Sequence, residues 1–150
     1  MKAIRDILTI ERVCDVRALT KDEVLAELCA LVSTAPEVTD PPAFLHAIRA
    51  RETAMSTGIG MGIAIPHAKI SSVTDFVMAV GRSRRGIEFD SLDDLPVHIV
   101  ILMGSSDTQA TDFLKLIAKV GGLFNSPEFK ERFLEAASPA EMYRLLAEMD

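Results

Sequence analysis

The chain has 150 residues, 49% hydrophobic and 25% charged, with 16 basic and 22 acidic side chains and a formal net charge of −6. This is the balance of a globular protein with a substantial core. Its acidity argues against nucleic acid and against an anionic membrane surface as partners.

Near the N-terminus, Asp6, Glu11 and Asp15 interrupt the continuous apolar stretch that a signal peptide needs. Cys14 and Cys29 are isolated thiols with no C-x-x-C pattern. They signal neither a zinc site nor a disulfide framework, read as buried structural cysteines, and make the cytoplasm the expected location. Thr20-Lys21-Asp22-Glu23 is a capping box, and Val24, Leu25, Leu28, Leu31 and Val32 then mark one helical face. Asp40 followed by Pro41 and Pro42 predicts a second helix start, because proline is tolerated in a first turn. Phe44, Leu45 and Ile48 supply its buried stripe, and its end is expected near Arg51 and Glu52.

Strands are expected next. Residues 62–66 are short and apolar, residues 76–80 read FVMAV, and residues 86–89 form a further short candidate before the acidic turn DSLDDLP. Residues 97–103, VHIVILM, lack polar alternation, which predicts a central strand covered on both faces. The run is too short to span a bilayer, so no direct membrane insertion is expected. Asp107 is the expected N-cap of a helix carrying Phe113, Leu114, Ile117, Val120 and Phe124, weakened at Gly121-Gly122. Ser126-Pro127 and Ser138-Pro139 each combine an N-cap with a first-turn proline, the second reinforced by Glu141. Residues 1–150 therefore read as a single α/β domain, with no repeat, linker or low-complexity segment.

The densest chemistry lies in residues 57–69, TGIGMGIAIPHAK. A neutral histidine ring nitrogen is a good phosphoryl acceptor near pH 7, and such transfer needs positioning and oxygen donors more than acid–base chemistry. Here Gly58, Gly60 and Gly62 offer amides that approach an anion closely, and Pro66 stiffens the residue before His67. Thr57 or Ser56 adds a hydroxyl, and Arg51 a planar fork for phosphate oxygens. The spacing is neither G-x-G-x-x-G nor a Walker loop, and the chain after His67 runs toward a strand, which disfavours a nucleotide-binding enzyme.

The longer string RETAMSTGIGMGIAIPHAK closely resembles the active-site signature of enzyme IIA proteins of the fructose–mannitol class of the phosphoenolpyruvate-dependent phosphotransferase system, nitrogen-regulatory members included. GIEFDSLDDLPVHIVILM and SPAEMYRLL are similar to later stretches of that family, so the likeness runs from about Asp6 to Leu146. The resemblance implies a mixed β-sheet flanked by helices, without cofactor or metal. It implies that His67 is transiently phosphorylated by the histidine-containing phosphocarrier protein, with Arg51 contacting the phosphoryl group. Thr57, Gly58, Gly60 and Gly62 would bind its oxygens. The group then passes to an enzyme IIB or acts as a regulatory signal to target proteins, the nitrogen type being favoured over sugar transport. A homodimer stays open. The family's second histidine falls on Ala110, which cannot hydrogen-bond through its side chain. Gln109, Thr108 and Asp107 are neighbouring substitutes. The alternative is a non-catalytic regulatory binding module of the same fold.

Other residues read as structural. His46 sits on a helix flank and His98 reads as a hydrogen-bonded core histidine; no ligand spacing joins either to His67 as a metal site. Asp90, Asp93 and Asp94 fit a solvated turn. Arg82, Arg84 and Arg85 read as a solvated basic cluster or a contact for an acidic partner. Ile59 and Met61 are candidates for an apolar docking rim beside His67.

Overall fold

In the computed structural model, which describes residues 3–149, the elements run α1 (Ile4–Ile7), β1 (Val13–Asp15), α2 (Lys21–Val32), α3 (Pro41–Ala54), β2 (Gly58–Gly60), β3 (Ile63–Ala64) and β4 (His67–Lys69). They continue with β5 (Val77–Ile87), β6 (Val97–Ser105), α4 (Ala110–Phe124), α5 (Pro127–Glu135) and α6 (Pro139–Glu148).

The helix starts follow from local chemistry. Thr20 accepts the Glu23 amide at 3.3 Å, and Asp40 accepts the Ala43 amide at 3.2 Å. Ser126 accepts from Phe129 and Ser138 from Glu141, each at 3.3 Å. Asp107 does not cap α4. The Gln109 side-chain oxygen takes the Ser106 amide at 3.2 Å and the Thr108 amide goes to the Ser106 hydroxyl, so a turn precedes the helix and Gln109 becomes its N-cap residue. Helix α3 runs past Arg51 and Glu52 to Ala54, and α4 continues through Gly121 and Gly122 to Phe124.

β6 lies at the centre of the sheet. It pairs antiparallel with β5 on one side and parallel with β3 and β4 on the other; β1 and β2 extend the sheet to the order β1-β5-β6-β3-β2. Ile99, Ile101 and Met103 enter a core with α1, α4, α5 and α6, while Val100 and Leu102 enter one with α2 and α3. Coverage on both faces explains the unbroken apolar run, each fully buried side chain contributing about 1.5–3 kcal/mol.

The two short strands expected at 76–80 and 86–89 are one strand, β5. Its polar middle is tolerated because Gly81 packs against Val16 and Leu28, and because Arg82 is buried with a partner. Arg82 is thus no part of a solvated cluster. It forks onto Asp15 at 2.7 and 3.1 Å and donates to the Phe133, Leu134 and Ala136 carbonyls at the end of α5. Cys29 is buried and Cys14 half-buried, and desolvation pushes both thiols up to about 12, which leaves them unreactive near neutrality.

Candidate active site

His67 opens β4, and its position is set by backbone bonds on both sides. The Pro66 carbonyl accepts the Met103 amide at 2.9 Å, and His67 stands opposite Met103 in the β4–β6 ladder. Side chains alternate across a strand, so Ala68 enters the α2/α3 core while His67 turns to the α4 face. There the half-buried imidazole meets the Phe113 ring edge-on, with centroids 5.9 Å apart and planes at 76°. Phe113 is itself stacked on Phe76 at 6.0 Å. The ring is therefore backed by an aromatic wall.

The His67 Nδ1 lies 2.7 Å from the Ile65 carbonyl. A carbonyl only accepts, so Nδ1 carries the hydrogen, and the neutral ring has its lone pair on Nε2. Burial pushes the His67 pKa down; the nearby Arg51 and Lys69 charges push the same way, against the Ile65 bond and Glu52. The outcome is a neutral imidazole of one tautomer near pH 7.

Arg51 lies in the last turn of α3 and donates through Nη1 to the Met55 carbonyl at 2.8 Å, leaving most of its fork for a ligand. Glu52, beside it, is buried. Its carboxylate accepts the Thr57 amide at 3.2 Å and the Thr57 hydroxyl, and pairs with Lys21 Nζ at 2.8 Å. The Ser56 hydroxyl donates to the Phe89 carbonyl at 2.6 Å. Neither the Thr57 nor the Ser56 hydroxyl hydrogen is free for a phosphoryl oxygen, contrary to the reading from sequence.

The glycines also differ from expectation. β2 and β3 form a hairpin that runs away from His67: Ile63 stands opposite Ile99 and His67 opposite Met103, four residues along β6, about 13 Å at roughly 3.3 Å per residue. Gly60 and Gly62 serve the tip, where φ is 94° and 81°. The Met61 amide there bonds Asp93 at 2.8 Å, and its carbonyl accepts Lys130 Nζ at 2.9 Å. The Gly58 amide bonds Ser56 Oγ at 3.0 Å, and a Cβ on Gly58 would collide with Ser91 Oγ. Gly60 and Gly62 build a turn remote from the imidazole, and Gly58 makes a close backbone approach to Ser91. Ile59 and Met61 are exposed on this hairpin, away from the ring.

Ala110 is the first residue of α4, one turn before Phe113. The Gln109 side chain does not cap that helix; its Nε2 donates to Asp75 at 3.1 Å. The first-turn amides and positive end of α4 therefore stand at the His67 end of the sheet. Gln109 accepts the Ser106 amide and donates to Asp75, and the Thr108 hydroxyl pairs with that of Ser106. Asp107 is exposed in the preceding turn.

His98 is held elsewhere, its Nδ1 2.8 Å from the Ser83 carbonyl, and His46 is exposed on α3. Asp93 accepts the Met61 and Leu95 amides, which hold its carboxyl below the usual range; Asp90 and Asp94 are exposed turn residues. Among the described residues, no His, Cys, Asp or Glu group of three or more is placed to hold a metal, and no helix is long and apolar enough to cross a membrane.

Residues 7–149 match the family described as the phosphoenolpyruvate-dependent sugar phosphotransferase system, EIIA 2. The chain belongs to this family. This EIIA chain is 32% identical to the fructose-specific EIIABC component of Bacillus subtilis over 98% of its own length, but spans only 23% of that relative. It is 33% identical to the fructose-specific EIIA component of Haloferax volcanii, covering 87% of this chain and 84% of that one. The crystal structure of nitrogen regulatory protein IIA-Ntr from Neisseria meningitidis superimposes with a TM-score of 0.88 at 26% identity, over 95% of this EIIA chain and 98% of that one. The family string is legible in the sequence. The roles of Glu52, of the Ile65 carbonyl and of Phe113 beyond the core are not. For Glu52 the available signal is a carboxylate that directly follows an arginine in the last turn of a helix.

Proposed function

We propose that this protein is a phosphohistidine carrier in which His67 Nε2 accepts a phosphoryl group from the histidine-containing phosphocarrier protein. The observation that carries the reading is the 2.7 Å contact from His67 Nδ1 to the Ile65 carbonyl, which leaves the Nε2 lone pair on a neutral ring. That lone pair attacks phosphorus, the donor's N–P bond breaks, and its electron pair returns to the donor nitrogen. His67 keeps its Nδ1 hydrogen and its ring becomes cationic. The Ile65 carbonyl dipole stabilises that charge, and Arg51 meets the phosphoryl oxygens. No proton has to move at His67, because onward attack by an enzyme IIB nucleophile restores the same neutral tautomer.

Incubation with phosphoenolpyruvate, enzyme I and the phosphocarrier protein tests this. The expected result is one added phosphoryl mass, labile in acid and absent from His67→Ala. No addition, with a known enzyme IIA labelled in parallel, overturns it.

A second reading has a specific observation behind it: Ala110 stands one turn from Phe113 where the resemblance calls for histidine. In that reading the state of His67 controls binding to a regulatory target, as the nitrogen-type relatives suggest, and onward transfer to a sugar-specific IIB is secondary. A pull-down comparing wild type, His67→Asp and His67→Ala decides it; identical partners for all three exclude phosphorylation-dependent control.

A further inference from the structure

We infer that Glu52 is a positioning residue for phosphoryl transfer, acting on both Arg51 and His67 through Thr57. This rests on the carrier reading above. Glu52 is 7% exposed, and a carboxylate buried to that degree needs compensation. Three donors supply it. Lys21 Nζ arrives from α2 at 2.8 Å, while the Thr57 amide and hydroxyl arrive from the loop that follows α3. Lys21 is itself fixed, with Nζ 4.7 Å from the Phe89 ring centroid and 3.4 Å from the Phe89 carbonyl.

The bonds continue from there to the imidazole. The Thr57 carbonyl accepts the Ile65 amide at 3.1 Å. The Ile65 carbonyl in turn accepts His67 Nδ1–H at 2.7 Å. Two residues of backbone, Ile65 and rigid Pro66, separate the Thr57 anchor from the ring. The carboxylate thus holds the β3–β4 connection whose Ile65 carbonyl selects the His67 tautomer. On its other side Glu52 directly follows Arg51, whose guanidinium is folded onto Met55 inside the same anchored segment. Lys21 also lies far from His67 in sequence, so the network ties α2, α3 and β3–β4 into one frame. A group that only filled space would not need three donors converging on one carboxylate at the end of the helix that carries Arg51.

The test uses the full chain. Glu52→Ala is expected to lower kcat for phosphoryl acceptance at least tenfold, with KM for the phosphocarrier protein within twofold. It is also expected to shift the His67 ring toward the Nε2–H tautomer, read from 15N chemical shifts of the unphosphorylated protein. Glu52→Gln, whose amide oxygen still accepts from Thr57, is expected to recover most of both. A folded Glu52→Ala protein with wild-type kcat and wild-type tautomer overturns the inference. Should Glu52→Ala not fold, Thr57→Val against Thr57→Ser decides the question through the same two readouts. If wild type accepts no phosphoryl group, the carrier reading fails by itself, and the tautomer measurement alone decides the role of Glu52: a shift supports it, no shift overturns it.

Discussion

The Gly62 carbonyl accepts the His98 amide at 2.8 Å, and this bond anchors the glycine hairpin at the end of β6 remote from His67. Gly62 has φ of 81°, and a Cβ there would meet nothing closer than 3.7 Å. Gly62→Ala therefore introduces backbone strain without a clash. It is expected to destabilise the protein by about 1–2 kcal/mol and to leave phosphoryl acceptance within twofold of wild type. Urea midpoints and the transfer assay measure the two separately. A folded Gly62→Ala protein that no longer accepts the group would restore the glycines as oxygen ligands.

This hairpin also shows where the sequence is readable and where it is not. Caps at Thr20, Asp40, Ser126 and Ser138 are legible because a short polar side chain meets an amide three residues away, a purely local event. The central strand is legible because burial on both faces removes polar alternation. The glycine run reads as a phosphate cradle because turn glycines and anion-binding glycines obey the same steric rule; only strand register, set by the pairing with β6, tells them apart. Strand β1 is not legible because its three residues, Val13–Asp15, are too short to show a period, and their partner strand is distant, with Val13 opposite Val80. Arg82 looks solvated in sequence because its partners, Asp15 and the end of α5, lie far along the chain.

His67 should remain neutral at pH values where a free imidazole is half charged. Its folded pKa is lowered, chiefly by burial and further by Arg51 and Lys69. In the unfolded chain the ring binds its proton at about 6.5. Stability linked to this group is therefore fully present above about 6.5 and is lost as pH falls from there through the folded value. NMR titration of the His67 ring is expected to give a midpoint below 6.5, and Arg51→Gln should raise it by removing a positive neighbour. A midpoint at or above 6.5 would contradict the buried, neutral ring.

The Asp15–Arg82 pair should matter to folding far more than to transfer. Arg82 is 1% exposed, so Asp15→Ala leaves a buried guanidinium with carbonyl partners only. A loss of about 2–3 kcal/mol is expected at neutral pH, smaller than for a fully uncompensated charge because the α5 carbonyls remain. The Arg82 bond holds the Asp15 carboxyl below its usual range. Its contribution is thus present above the unfolded pKa, near 3.8, and vanishes as pH falls through the lower folded value. Urea denaturation at neutral and strongly acid pH should show the gap between wild type and variant closing in acid. A gap of constant size would mean that the ion pair is not its source.

Ala110→His asks whether the missing second histidine limits the chemistry. Position 110 begins α4, three residues before the Phe113 that packs on His67, and the helix's first-turn amides lie around it. If His67 carries the phosphoryl group as proposed, a ring at this position would add a donor on the α4 side of the imidazole, without disturbing the Ile65 bond that sets the His67 tautomer. One such hydrogen bond made in the transition state, about 1.4 kcal/mol, corresponds to about a tenfold rate increase. Single-turnover transfer from the phosphorylated carrier protein at fixed pH measures it directly. An unchanged rate in a folded variant would show that Arg51 and the α4 amides already supply what the reaction needs, and that Ala110 is no deficit in this protein.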